Sequence, residues 1–285
     1  MPGVLYIVAT PIGNLDDISL RAVATLRSVE LIAAEDTRHS KFLLRHLGID
    51  TRMISCHEHN EESRCETILQ TLNGGGDVAL ISDAGTPLIS DPGYRLVTAV
   101  RQAGIRVSPI PGANSVIAAL CGAGLPTERF HFYGFLSSKA ARRGAQLESL
   151  REVDGTLLLF ESSHRILALL QQLEQFFPHR QCVIAKELTK LHEQFLCGEP
   201  TQLLALFEQD PALTRGEFVV LIDNNGVAES DRMAADETAI LQLLLEEVPV
   251  KVAARIAARI TGGKKNELYQ LALQLRAAQG NDPTD

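Results

Sequence analysis

Apolar and polar positions fall in blocks along the first 125 residues of the chain. Leu5–Ala9 is an apolar run that ends at Thr10-Pro11-Ile12-Gly13-Asn14, and Glu30–Ala34 ends at Glu35-Asp36-Thr37-Arg38. Met53–Cys56 ends at His57-Glu58-His59-Asn60, Val78–Ile81 at Ser82–Pro87, and Arg106–Ile110 at Pro111–Ser115. Short unbroken apolar runs closed by turn residues read as strands buried on both faces. Helical spacing fills the gaps. Ile18–Ser28 carries Asp17 as its cap and Leu20, Val23, Ala24 and Leu26 as a buried stripe. The next helix runs to Leu47 and stops at Gly48, a third is capped by Asn60 and dies at Gly74-Gly75-Gly76, a fourth covers Pro92–Ala103, and a fifth starts at Ser115. This alternation predicts a parallel sheet with helices on both faces. The polar loops then share one rim at the carboxyl ends of the strands, where open α/β sheets bind ligands.

The pattern changes after residue 125. Phe130–Leu136 and Thr156–Phe160 are apolar strands, the first followed by a basic loop with Lys139, Arg142 and Arg143, the second by Glu161-Ser162-Ser163-His164-Arg165. A helix to Phe177 precedes strands Cys182–Leu188, Glu193–Gly198 and Glu217–Asp223, with a helix near Thr201–Gln209. Only Thr189–His192 separates two of these strands, which predicts a hairpin and a mixed sheet. Asn224–Asp236 reads as a polar, acidic linker, and three helical patterns follow at Asp236–Glu247, Pro249–Ile260 and Lys264–Ala278. The expected organisation is an α/β subdomain at 1–125, a second at 126–225, and a linker plus helix-turn-helix-like module at 226–285.

Charge sharpens this division. The net charge is −8, which by itself disfavours a nucleic-acid partner, yet Lys251–Arg276 holds six basic residues and one acid. The rest of the chain therefore carries −13, so a basic module is attached to an acidic body. Five dispersed cysteines without a Cys-x-x-Cys pair predict reduced thiols and a cytoplasmic setting. No apolar run reaches the roughly eighteen residues of a membrane span, and the Met1–Gly13 stretch lacks the basic start of a signal peptide.

Several chemistries are disfavoured by missing motifs. No Gly-x-Gly-x-x-Gly follows the first strand, no Gly-x4-Gly-Lys-Ser/Thr occurs, and no Gly-x-Ser-x-Gly elbow is present. His57 and His59 with Asp36, Asp83 and Asp91 invite a metal-hydrolase reading, but these residues lack a recognisable ligand spacing, and no metal is expected. Glu35–Arg38 and Glu161–Arg165 each read either as a charged helix start or as groups facing a cleft between two subdomains.

The ordered motifs TPIGNLDDISLRA (10–22), EDTR (35–38), HEHN (57–60), SDAGTPLISDPG (82–93), PIPGANS (109–115), GFL (134–136), ESSHR (161–165), KELTKLHE (186–193) and GEFVVLI (216–222) resemble the tetrapyrrole-methylase-like superfamily. Within it the chain resembles the ribosomal RNA small subunit methyltransferase I family, and RIAARITGGKKNELY (255–269) is similar to that family's helical tail. The resemblance implies a class III α/β methyltransferase: two α/β subdomains, S-adenosyl-L-methionine in the cleft between them, a small C-terminal helical module, and a homodimer. It implies 2′-O-methylation of a cytidine ribose in the decoding region of 16S rRNA, on the small ribosomal subunit. It assigns the cofactor to Pro11, the loop Ser82, Asp83, Ala84, Gly85 and Thr86, then Ser115 and Val116, and in the second subdomain Phe160, Gly216 and Glu217. Relatives often have Gly-Asp-Pro where this chain has Ser82-Asp83-Ala84, so the third position departs from the pattern.

Methyl transfer from a sulfonium is an in-line displacement that chiefly requires alignment, with a positioned base assisting loss of the hydroxyl proton. Asp36, Glu161 and His164 are the candidate bases, and the residues do not choose among them. The candidate RNA contacts are Arg38, Lys139, Arg142 and Arg143, with Arg255 and Arg259 on one helix face and Lys264 and Lys265 at the next helix start. Deleting Asp231–Asp285 is expected to weaken rRNA binding in a filter assay while leaving cofactor affinity by calorimetry unchanged; equal RNA affinity would remove the tail from the interface.

Overall fold

The apolar run Val78–Ile81 forms β4 at the centre of a five-stranded parallel sheet in the computed structural model, which describes residues 1–225, 238, 240–245 and 247–279. Its neighbours are β1 (Val4–Val8) and β2 (Leu31–Ala34), flanked by β5 (Arg106–Ile110) and β3 (Met53–Ser55). The lack of alternation in β2 and β4 is explained by helices on both faces. Helices α1 (Leu20–Ser28) and α2 (Thr37–His46) cover one face through Leu26 and Leu44. Helices α3 (Glu61–Asn73) and α4 (Tyr94–Gln102) cover the other through Ile68, Leu72, Leu96 and Val100.

The start of α1 differs from the expected one. Asn14 caps a separate 3-10 turn, Leu15–Asp17, and Ser19, not Asp17, caps α1 by accepting from Ala22 N at 3.1 Å. The buried residues become Ala22, Thr25 and Leu26, while Leu20 is 90% exposed. Asn60 precedes α3 without capping it through its side chain. Its Oδ1 accepts from His57 N at 2.8 Å and its Nδ2 donates to Ser55 Oγ at 3.1 Å, so it shapes the β3–α3 loop instead.

Helix α5 (Ser115–Ala123) leaves the first sheet. Asn114 caps it through two backbone amides, and its Val116, Ala119, Leu120 and Ala123 pack on Leu158, Val183, Val219 and Leu221 of a second sheet. That sheet has the order β6 (Phe130–Phe135), β7 (Gly155–Ser162), β10 (Glu217–Asn224), β8 (Cys182–Lys186), β9 (Gln194–Gly198). Strands β6 and β7 are parallel and the remaining pairs antiparallel, with β8 and β9 forming the expected hairpin. Helices α6 (Ala140–Leu150), α7 (Ile166–Phe176) and α8 (Pro200–Gln209) bury its far face around Leu147, Leu169, Leu173 and Phe207. Thus Lys139, Arg142 and Arg143 sit at the start of a helix, not on a loop.

Residues 240–245 are helical, followed by α9 (Val250–Thr261), whose N-cap is Pro249, and α10 (Lys265–Gln279). They close a small core of Leu241, Leu245, Ala253, Ala254, Ala257, Leu268 and Ala272. Most of the expected acidic linker, 226–236, lies outside the described residues, and its first residue, Asn224, instead ends β10. Asn224 is 1% exposed, and its Nδ2 reaches the carbonyls of Leu150 at 3.1 Å, Arg151 at 3.2 Å and Val153 at 2.5 Å. It ties the turn after α6 to the sheet. Asn224→Ala removes the amide donor to all three carbonyls, of which Leu150 O keeps a bond from Val153 N at 3.1 Å, and is expected to lower stability by about 1–3 kcal/mol in urea unfolding.

Candidate active site

The rim begins where β4 ends. Thr10 N donates to Gly85 O at 2.8 Å and Gly85 N donates to Thr10 O at 3.1 Å, so the loops after β1 and β4 form one bridge. Gly85 has φ +81°, a left-handed conformation that admits glycine with little strain. Thr86 Oγ1 donates to Ala113 O at 3.0 Å, which ties in the loop after β5. Downstream, Leu88 at φ 74° and Ser90 at φ 69° hold left-handed conformations without being glycine. Such strain, about 1–3 kcal/mol per residue, tends to gather at functional sites.

The second sheet closes over this rim. A Cβ on Gly134 of β6 would lie 2.9 Å from Ser90 Oγ, and a Cβ on Gly13 would lie 2.5 Å from Lys190 Cγ. The β1 loop therefore abuts the β8–β9 loop, where Lys190 Nζ bonds Glu187 Oε1 at 3.0 Å and Glu217 Oε2 at 3.1 Å. Between the sheets lies a cavity of about 460 Å³, within the usual range for small-molecule pockets. Ile12, Glu35, Asp83, Ala84, Asp91 and Ser115 line it from the first half, and Phe135, Phe160, Glu161, Gly216, Glu217 and Val219 from the second. A second cavity of about 570 Å³ shares Glu35, Ser90 and Asp91 with it and is otherwise lined by His57, His59, Tyr94 and Arg95 among others.

The shared wall is acidic. Asp36 N donates to Asp83 Oδ1 at 3.0 Å, and Asp83 N donates to Glu35 Oε2 at 3.4 Å. Burial pushes the Glu35 carboxyl up from its ordinary value, partly offset by the Asp83 amide and reinforced by the Asp83 charge. Burial likewise pushes Asp91 up to about 6, with a Ser82 hydrogen bond opposing and the charges of Glu35 and Asp83 adding. Asp36 behaves oppositely: hydrogen bonds from Arg38 hold it down to about 2. On the facing wall Glu161 is 3% exposed and ion-paired with Arg165 Nε at 3.0 Å. Its Oε1 accepts from Ser162 N at 2.8 Å, and its Oε2 is buried with no hydrogen-bond partner.

The expected site residues separate accordingly. Asp83, Ala84, Ser115, Phe160, Gly216 and Glu217 line the cavity, as does Glu161. Ser82, Gly85 and Thr86 shape the turn behind it, Pro11 adjoins the wall residue Ile12, and Val116 faces the core beneath α5. His164 is exposed on the turn after β7 and does not line the cavity. Arg143 is 4% exposed and bonds Gln172 and Ala168 O, so its expected RNA contact is corrected to a structural tie between α6 and α7. Arg38, Lys139, Arg142, Arg255, Arg259, Lys264 and Lys265 are exposed. Of the two readings of Glu35–Arg38, a charged helix start or cleft-facing groups, Glu35 takes the cleft-facing one and lines both cavities, while Asp91, weighed in sequence only as a neighbour of a metal site, lines them too.

Residues 4–203 match the model of the tetrapyrrole (corrin/porphyrin) methylases, and residues 231–276 match the RsmI C-terminal HTH domain. Ribosomal RNA small subunit methyltransferase I of Pseudomonas aeruginosa is 49% identical over 274 residues, covering 95% of this chain and 97% of that protein. The protein of the same name from Escherichia coli O157:H7 is 46% identical over 273 residues, covering 95% of each. The chain belongs to the ribosomal RNA small subunit methyltransferase I family. Among solved structures, diphthine synthase matches with TM-score 0.59 at 16% identity, covering 77% of this chain and 90% of that one. Uroporphyrin-III C-methyltransferase from Thermus thermophilus, complexed with S-adenosylhomocysteine, matches with TM-score 0.53 at 17% identity, covering 79% and 98%. These likenesses show the class III fold, and as a member of the ribosomal RNA small subunit methyltransferase I family the chain is a methyltransferase.

The raised Asp91 has a measurable consequence. With its folded pKa near 6 against an ordinary 3.8, the native state binds more protons than the unfolded chain between those values, so stability falls as pH rises through that window. Asp91→Asn is therefore expected to melt above the wild type at pH 7 and to match it below pH 4, as read by thermal scans at each pH.

Proposed function

We propose that the protein transfers a methyl group to the ribose 2′-oxygen of a cytidine in the decoding region of 16S rRNA, acting in the cytoplasm as a homodimer. The observation that carries the proposal is the pair of cavities joined at Glu35, Ser90 and Asp91: one sized for a small donor, the other open to a substrate group. The identity to relatives named for the small-subunit rRNA supports the substrate class.

The donor is S-adenosylmethionine, which supplies an electrophilic methyl on a sulfonium. The residues fit it: Glu35, Asp83, Asp91 and the partnerless Glu161 Oε2 offer carboxylates to its cationic groups, and Leu188, Phe218 and Val219 offer an apolar surface to its adenine. Glu161 would hold the cationic end, and Asp83 would orient the donor from the β4 rim. The Glu35–Asp91 wall faces the cavity from which a ribose would enter. Asp91 takes the 2′-hydroxyl proton as the oxygen takes the methyl, since a base near its working pH is the more effective one. Asp36 is a poor base at about 2, and the exposed His164 is outside the cavity. The basic tail, with Arg255, Arg259, Lys264 and Lys265 exposed, supplies phosphate contacts.

The test uses 30S subunits and naked 16S rRNA from cells lacking the protein, with labelled S-adenosylmethionine and nucleoside mass spectrometry. The expected product is 2′-O-methylcytidine at one decoding-region position; a base-methylated nucleoside, or no transfer to either substrate, overturns the reading. The single-turnover rate is expected to rise with pH through about 6, and Asp91→Asn to lower it by about 10²–10⁴-fold. A loss below about tenfold removes Asp91 as the base.

A further inference from the structure

We propose that the outer face of α2 is a phosphate-docking surface that leads the RNA strand to the active-site rim, an inference that rests on RNA being the substrate. Helix α2, TRHSKFLLRH, buries Ser40, Leu43 and Leu44 toward the sheet and exposes Arg38, Lys41 and Arg45. No acid occurs from Thr37 to Ile49, in a chain whose net charge is −8. A groove of about 610 Å³ runs along this face, with Arg38, Lys41 and Arg45 on one side and Thr51 and Met53 on the other; Asp50 is the one acid lining it.

Three observations point to an anionic chain as the occupant. Neither Lys41 nor Arg45 forms an ion pair among the described residues, so their charges are not consumed within the fold. Helix stability does not explain the pattern: cations near a helix N-terminus oppose its dipole, and only Arg45 lies in the last turn. The groove's Thr37 and Arg38 also directly follow the rim residues Glu35 and Asp36 in the chain. Glu35 lines both cavities, and Asp36, the α2 N-cap, donates its amide to Asp83. Arg38 to Arg45 spans about 10 Å along the helix, enough to engage more than one phosphate. The acidic wall repels phosphates while the adjacent cations hold them, so a strand can pass beside the cleft and present one ribose to it.

The test measures binding of 30S subunits or 16S rRNA over a potassium chloride series. It compares wild type, K41E/R45E, the milder K41Q/R45Q, and a charge-matched control, R101E/R106E, at the end of α4 on the opposite sheet face and at the exposed start of β5. K41E/R45E is expected to weaken binding by at least about tenfold at low salt. The slope of log affinity against log salt should flatten by about 1–2, since each lost phosphate contact removes about 0.7–0.9. K41Q/R45Q follows in the same direction, the control stays within about twofold, and S-adenosylhomocysteine affinity is unchanged in all, which also reports intact folding. An unchanged slope in K41E/R45E beside RNA-binding wild type overturns the proposal. So does an equal loss in the control, or a change in the molar mass of K41E/R45E by light scattering, which would make this face a contact between copies. Failure of the wild type itself to bind either RNA sinks the functional reading and the docking surface with it.

Discussion

The site depends on the packing of α5 across the two sheets. The helix begins in the loop after β5, at the carboxyl edge of the parallel sheet, yet buries Val116, Ala119, Leu120 and Ala123 against Leu158, Val183, Val219 and Leu221 of the other. That apolar contact fixes the separation between the rims. It allows Gly134 to meet Ser90 and Gly13 to meet the β8–β9 loop while a cavity stays open between Asp83 and Glu161. Interiors packed to crystal-like density transmit small displacements, so a side chain added along α5 would alter the distance between the cavity walls.

The electrostatics follow from the same closure. Three carboxylates, Glu35, Asp83 and Asp91, are brought to neighbouring strand ends and then covered, which raises Glu35 and Asp91, whereas Asp36, one residue outside, keeps its charge through Arg38. Adjacent residues in the EDTR motif thus shift in opposite directions, Glu35 through burial and Asp36 through its hydrogen bonds from Arg38. In the cavity between the sheets this acidic wall carries no Lys or Arg, an arrangement that favours a positively charged guest.

The blocks of apolar residues made the parallel sheet, its rim and the β8–β9 hairpin legible because period and turn chemistry are local properties. The α1 start was misread because Asp17 and Ser19 are both good caps, and only packing decides which stripe is buried. The division within the EDTR motif was illegible for a similar reason: Glu35 and Asp36 are neighbours in sequence, and only Glu35 lines the cavity closed by a second sheet more than a hundred residues away. Arg143 looked like its neighbour Arg142 in the basic stretch, but α6 turns it inward to Gln172. Beyond Arg38, the α2 face escaped notice since Lys41 and Arg45 are spread at helical spacing and do not form a run.

The raised Asp91 carboxyl couples two equilibria. Near pH 6 a share of molecules carries a proton there, and a cationic ligand that favours the charged carboxylate would lower that share. Uptake of such a ligand would then release a fraction of a proton, and its measured enthalpy would include the ionisation heat of whatever buffer accepts it. Two buffers of equal pH and different ionisation enthalpy would report different heats for one and the same binding event.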